Sequence, residues 1–154
     1  MAHKIPVSTL VLVHTHDSRV LLLERADFPG YWQSVTGSQE PGEALRDTAR
    51  RELLEETGID AHEHGGVSDW HMSSVYEIYS RWRHRYPPGT TENTEHVYSL
   101  EVPAGVRVTL NPREHLEYQW LPWMDAAAKC FSSTNRAAIE ALPSRLAVTA
   151  RSIE

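Results

Sequence analysis

An unbroken apolar run at residues 10–13, flanked by β-branched positions, predicts a buried strand over residues 6–14. The polar residues 16–19 turn the chain, and residues 20–25 predict a second strand. Residues 27–30 read as a loop, followed by a short strand over 31–35 that leads into Thr36 and Gly37. Residues 75–80 and 96–102 alternate in the manner of strands. Between them residues 81–94 form the longest loop-like region, with Pro87-Pro88-Gly89 as a firm turn. Residues 105–110 are expected to continue the sheet, and 116–123 to hold another strand. A short helix is expected over 124–129, and a terminal helix over 135–146, interrupted at Pro143. Strands interleaved with helices predict an α/β domain, with a mixed sheet between helices and one domain spanning 1–154.

The most informative stretch is 37–59. A glycine-bounded loop, 37–42, precedes a predicted helix over 43–57, and Gly58 stands where a helix end favours positive φ. At about 100° per residue, Leu45, Ala49 and Leu53 make a core-facing side. Glu52 and Glu56 also step by four and project almost the same way, with Glu55 beside them. Arg46, Asp47 and Arg50 take the outer side. Glutamates are seldom buried unless something offsets their charge, and like charges four apart on a helix repel. A divalent cation between them removes both costs. The alternative is a solvated helix in which Arg51 pairs with Asp47 and Glu55, four residues to either side. That scheme leaves Glu52 and Glu56 without partners.

The full pattern decides between these readings. Gly37, Glu43, Arg51, Glu52, Leu53, Glu55, Glu56, Gly58 and Ile59 match every defined position of the Nudix box, so the chain resembles the Nudix hydrolases. The resemblance implies an α/β/α sandwich around a mixed sheet. It also implies hydrolysis of nucleoside diphosphates linked to some other moiety, using Mg²⁺ or Mn²⁺. It assigns Glu52 and Glu56 to the metal, lets Glu55 join them, and has Glu43 and Arg51 brace the loop and helix. The Gly37 carbonyl is a further ligand candidate. Family members usually add an acid from outside the box; Glu114 and Glu117 are available, and Glu114 is favoured as ligand or general base. Mg²⁺ suits such a site because it takes a few carboxylates together with phosphate and water oxygens.

Further blocks narrow the likeness. Residues 31–38, 83–95, 114–121 and 132–140 resemble, in the same order, the folate-pathway branch of the family, which hydrolyses dihydroneopterin triphosphate to the monophosphate and pyrophosphate. That likeness implies substrate contacts at Lys4, Arg25, Thr36, Tyr76, Glu77, Ile78, Tyr79 and Ser132. The residue types are compatible. A triphosphate needs cations, for which Arg81, Arg83, His84 and Arg85 are also candidates. A flat pterin needs aromatic walls and amide or hydroxyl partners, to which Trp32 and Asn135 can add.

Composition sets the outer bounds. With 154 residues, 40% of them apolar, and five Trp and six Tyr, the chain can bury a substantial core. A formal charge of −6 argues against nucleic acid or an anionic membrane as partner. Cys130 is the one cysteine, which fits a reducing compartment, and beside Phe131 it reads as packing rather than nucleophile. No apolar run approaches the roughly 20 residues of a membrane helix, and no secretory signal is visible, so a cytoplasmic enzyme, monomer or homodimer, is expected. The pairs His14/His16 and His62/His64 lack accompanying cysteines and read as turn and surface residues rather than zinc ligands. Rival readings are a housecleaning (deoxy)nucleoside triphosphate pyrophosphatase, a dinucleoside polyphosphate hydrolase (Tyr76 resembles a tyrosine of that group), and a ligand-sensing module without catalysis.

Overall fold

The computed structural model describes residues 3–153, of which 148–153 are described as helical backbone alone. Its strands are β1 (Val7–His14), β2 (Arg19–Arg25), β3 (Trp32–Gln33), β4 (Val35–Ser38), β5 (Ser68–Glu77), β6 (Glu92–Glu101) and β7 (His115–Pro122). The helices are α1 (Leu45–Thr57), α2 (Trp123–Lys129) and α3 (Ser133–Ile153). All the strands join one sheet in the order β3-β2-β1-β6-β5, with β4 added to β1 and β7 to β2. β1 runs parallel to β6 and antiparallel to β2 and β4, so the sheet is mixed.

Alternation along β1 explains the layering. Val11 and Val13 point to one face, where they pack with Leu21, Leu23, Tyr98, Leu100 and the α1 residues Ala49 and Leu53. Leu10 and Leu12 point to the other, against Val97 and the Ala126, Ala138, Ile139 and Leu142 side chains of α2 and α3. One helix covers one face and two cover the other, giving the α/β/α sandwich. β1 is buried on both sides, which is why its sequence reads as a continuous apolar run.

Several elements differ from their predicted extents. α1 starts at Leu45, two residues late, because Glu43 folds back outside the helix to take hydrogen bonds from the Glu40 amide and the Thr48 hydroxyl. β3 and β4 replace the single strand expected over 31–35, and β4 carries Thr36 and Gly37 inside the sheet. β5 begins at Ser68, far ahead of residue 75, and a bulge between Asp69 and Ser73, with His71 at φ 53°, hides its alternation. A 3₁₀ helix, Ser80–Arg85, occupies the start of the long loop, and β6 takes its end from Glu92.

Residues 105–110 do not continue the sheet. Val106, Val108 and Leu110 instead pack against the α1-side core, and the Thr109 amide donates to the Thr57 carbonyl at 2.8 Å. α3 runs through Pro143 without interruption. Leu142 is fully buried one residue before it, and Arg145 beyond it donates to the Trp70 carbonyl at 2.8 Å, so tertiary contacts hold both sides of the missing N–H.

Candidate active site

The α1 box helix and its preceding loop are locked together by one arginine. Arg51 Nε and Nη2 donate to the two Glu43 oxygens at 2.8 and 3.0 Å, Nη2 also reaches the Ser38 carbonyl at 3.0 Å, and Nη1 meets Glu52 Oε1 at 2.7 Å. Beside the guanidinium the Glu43 carboxyl is held down at about 2. Glu43 does not line the cavity described below; it fixes Arg51, and Arg51 in turn fixes one oxygen of Glu52. Glu55 is exposed and lies 3.5 Å from Arg51.

Gly37 is the close-approach residue. A Cβ built there would lie 2.0 Å from Glu52 Cδ, so only glycine lets the β4 backbone and the Glu52 carboxyl share this space. One helical turn on, Glu56 is 2% exposed, and its Oε2 has no hydrogen-bond partner. Burial, then the neighbouring charges of Glu52 and Glu114, push its carboxyl well above the ordinary range, while a backbone hydrogen bond from Thr36 acts in the opposite direction. Burial also raises Glu52, despite Arg51.

The β7 start delivers two more groups. The Glu114 carbonyl accepts from the Ala26 amide at 2.9 Å, which fixes the exposed Glu114 opposite α1. Next to it His115 is buried, with Nε2 3.5 Å from Glu56 Oε1 and Nδ1 without a partner. Burial, reinforced by Arg25, lowers this imidazole to about 4, so it is neutral near pH 7. Glu56, Glu114 and His115 each bring one ligand atom within 4.8 Å of the others, close enough to share one cation. An unpartnered buried carboxylate oxygen, an unpartnered imidazole nitrogen and a crowd of acids fit a divalent ion. His115 was missed in the sequence, where only its place beside Glu114 could have marked it. Glu117 is exposed on β7 and lies off the cavity.

These groups open into a cavity of about 970 Å³. Lys4, Arg25, Thr36 and Gly37 line it, as do Tyr76 through Tyr79, Ser132 and Asn135. Arg25 donates from Nε and Nη2 to Asp27 at 2.8 Å, from Nη1 to Gln33 at 3.0 Å, and stacks 4.3 Å over the Trp82 ring. Asp27 also takes Arg85 at 3.0 Å, so one carboxylate aligns two guanidinium groups on the cavity wall. The remaining loop cations have other roles. Arg83 braces the substrate-side segment by donating to the Ile78 carbonyl and, at 2.6 Å, to Glu77. Arg81 lies 4.1 Å over the Phe28 ring, and neither it nor His84 lines the cavity.

The aromatic positions also sort differently from expectation. Trp32 is a core residue capped by Lys129 at 4.4 Å and does not reach the cavity. Tyr79 is exposed, stacks on Trp82 at 5.3 Å, and with Phe131 forms an aromatic wall. Trp82 and Phe131 were not singled out in the sequence. Asn135 is spoken for: its Oδ1 accepts from the Ser34 amide at 2.8 Å and its Nδ2 donates to Ser34 Oγ at 3.0 Å. Ser132 Oγ lies 3.0 Å from Thr134 Oγ1 at the start of α3. Cys130 is half-buried off the cavity, with its thiol pushed up to about 11 by burial, as a packing residue would be.

Residues 4–142 match the family model described as the NUDIX domain. The chain belongs to the Nudix hydrolase family. Its Nudix sheet and flanking helices superpose on the solved structure titled "Structure of the E. coli dihydroneopterin triphosphate pyrophosphohydrolase" with a TM-score of 0.85 at 44% identity, covering 91% of this chain and 96% of that one. Among curated Nudix relatives it is similar to the dihydroneopterin triphosphate diphosphatase of Escherichia coli (strain K12), 45% identical over 140 residues, 90% of this chain and 92% of that protein. It is also similar to the enzyme of that name from Haemophilus influenzae, 37% identical over 142 residues, 91% of this chain and 89% of the relative. Nudix hydrolases generally use divalent metal ions, and the carboxylate and imidazole cluster supplies a fitting set of donors.

Proposed function

We propose that this Nudix hydrolase cleaves the α–β phosphoanhydride of dihydroneopterin triphosphate, giving dihydroneopterin monophosphate and pyrophosphate. The observation that carries the reading is the continuity of one cavity, which runs from Glu52, Glu56 and Glu114 past cationic side chains to aromatic and polar walls. Close likeness to the dihydroneopterin triphosphate diphosphatases of Escherichia coli and Haemophilus influenzae supports it.

Glu52, Glu56, Glu114 and the Gly37 carbonyl would hold the ion, Mg²⁺ with Mn²⁺ as substitute. When bound, the ion neutralises phosphate charge and makes water more acidic. Arg51 holds Glu52 in place through its 2.7 Å contact, and Glu43 holds Arg51. His115, neutral and with Nε2 3.5 Å from Glu56 Oε1, stands beside that carboxylate where it could add a ligand atom of its own. Lys4, Arg25 and Arg85 line the path the phosphates would take, and Tyr79, Trp82 and Phe131 give a flat ring something to lie against. Glu114, exposed at the cavity edge, serves as ligand or as the base that accepts the attacking water's proton.

We further propose that residues 1–154 act as one cytoplasmic domain, monomeric or dimeric, on a small molecule rather than on nucleic acid or a membrane. The charge of −6 supports this, and no helix among the described residues is long and apolar enough to cross a membrane. Turnover with Mg²⁺ on dihydroneopterin triphosphate, dGTP and diadenosine tetraphosphate tests the substrate. The pterin is expected to lead; a wide margin for either nucleotide would overturn the reading.

A further inference from the structure

Among the described residues, three of the buried side chains with an unpartnered polar atom line the cavity: Glu56, His115 and Glu95. The first two belong to the cation cluster. Glu95 does not, and nothing in the proposed cleavage uses it. It sits on β6, paired in register with Ser8 of β1 and Ser74 of β5, and its side chain is on the same face as Val97, toward α3. It is 4% exposed, which is costly for a carboxyl group unless something meets it.

The surroundings account for only part of it. A hydrogen bond from Thr134, at the start of α3, reaches the carboxyl, while Oε1 has no partner. Thr134 in turn touches Ser132, which lines the same cavity. On the same face of β6, Asn93 is tied to Ser8 by a 2.7 Å bond, so the floor around Glu95 is braced by its own polar contacts. Burial lifts the Glu95 carboxyl to about 7. A group held so near neutrality ionises readily when two donors reach it.

We propose that Glu95 selects the head group of the substrate, accepting the ring N–H and the adjacent 2-amino N–H of a 2-amino-4-oxopyrimidine edge. This rests on the pterin triphosphate reading, and guanine carries the same donor pair. A carboxylate presents two acceptors side by side and matches two parallel N–H donors; an adenine edge, with an acceptor beside its donor, leaves one oxygen facing a lone pair. Leu10, Ile78 and Phe131 line the cavity with Glu95 and keep water from competing for it.

The test compares dihydroneopterin triphosphate with its 2-oxo (lumazine) counterpart, and dGTP with dITP, in the wild-type enzyme and in Glu95→Gln. The wild type is expected to favour each 2-amino substrate in kcat/KM by about tenfold or more, the scale of a hydrogen bond to a charged acceptor. In Glu95→Gln both ratios should collapse toward one, with the loss falling mainly on KM. Ratios unchanged by the substitution would overturn the proposal. Should Glu95→Gln not fold, the wild-type ratios decide alone, and values near one sink it. A strong preference for dGTP over the pterin, with a dGTP:dITP ratio that still collapses in Glu95→Gln, would remove the pterin reading and keep the role of Glu95. The reverse pattern would do the opposite.

Discussion

Glu56 is where folding and chemistry pull hardest against each other. Its carboxyl is buried, faces the charges of Glu52 and Glu114, and keeps one oxygen without a partner. An uncompensated buried acid lowers the stability of the folded chain, so its presence makes sense if a cation completes it. Glu56→Gln keeps the shape and removes the charge. Metal-dependent pyrophosphate release should fall about 10²–10³-fold, the usual scale for losing a charge-stabilising group at a reacting centre. Melting in EDTA should be no lower than wild type, because the amide is neutral in its buried place without having to hold a proton. A near-normal rate for this variant in Mg²⁺ would take Glu56 out of the site. Glu52 differs, since Arg51 already meets one of its oxygens at 2.7 Å; its part in holding the ion depends on the other oxygen and on the opening that Gly37 leaves for it.

Individual elements explain both what could be read in advance and what could not. The end of α1 is set by Gly58, at φ 74°, whose amide donates to the Leu54 carbonyl at 2.9 Å. An added Cβ there would sit in the left-handed region and meet Thr109 Cβ at 3.3 Å. Gly58→Ala should therefore cost about 1 kcal/mol, lowering the melting temperature by about 2–4 °C for a chain of this length. An unchanged melting curve would mean the cap is slack. This terminus was legible because a glycine after a periodic helix has a single mechanical meaning, and so was the pair Glu52/Glu56, because acids on a core-facing side break the pattern. β5 was only half legible, since Ser68 to Ser74 is edge-lying and bulged, and its pairing with β6 is fixed by the neighbour rather than by its own alternation. Residues 105–110 look like a strand because Val106, Val108 and Leu110 alternate, but that alternation serves packing against the core beside α1. Trp32 illustrates the same limit at the site: an aromatic suited to a ligand is, in place, a core residue. His115 and Glu95 could not be found by spacing, because each becomes distinctive only when distant strands bury it beside the cavity.

At the scale of the whole molecule, the titrating groups act in opposite directions, and their pH windows separate them. Burial raises Glu52 and Glu56 and takes Glu95 to about 7, so over that range the folded, metal-free chain keeps protons that the unfolded chain has already released. Raising pH then favours unfolding. His115, lowered to about 4 from an ordinary 6.5, has the contrary effect, but most of its contribution is in place by about pH 7. Glu43, lowered to about 2, matters only below its ordinary 4.5, where acid would weaken its clasp on Arg51. From about pH 7 to 8 the buried acids therefore dominate. In EDTA the melting temperature should fall across that interval, at roughly 2–4 °C for each kcal/mol lost. With saturating Mg²⁺ the curve should flatten and rise, because an ion that binds the ionised carboxylates of the folded chain stabilises it increasingly as they deprotonate. A residual slope should persist in Mg²⁺ from Glu95, which stands outside the cation cluster, and Glu95→Gln should remove that remainder. Thermal scans over this interval, with and without the ion, check the whole scheme. Identical slopes in EDTA and in Mg²⁺ would mean that Glu52 and Glu56 are not what the ion engages.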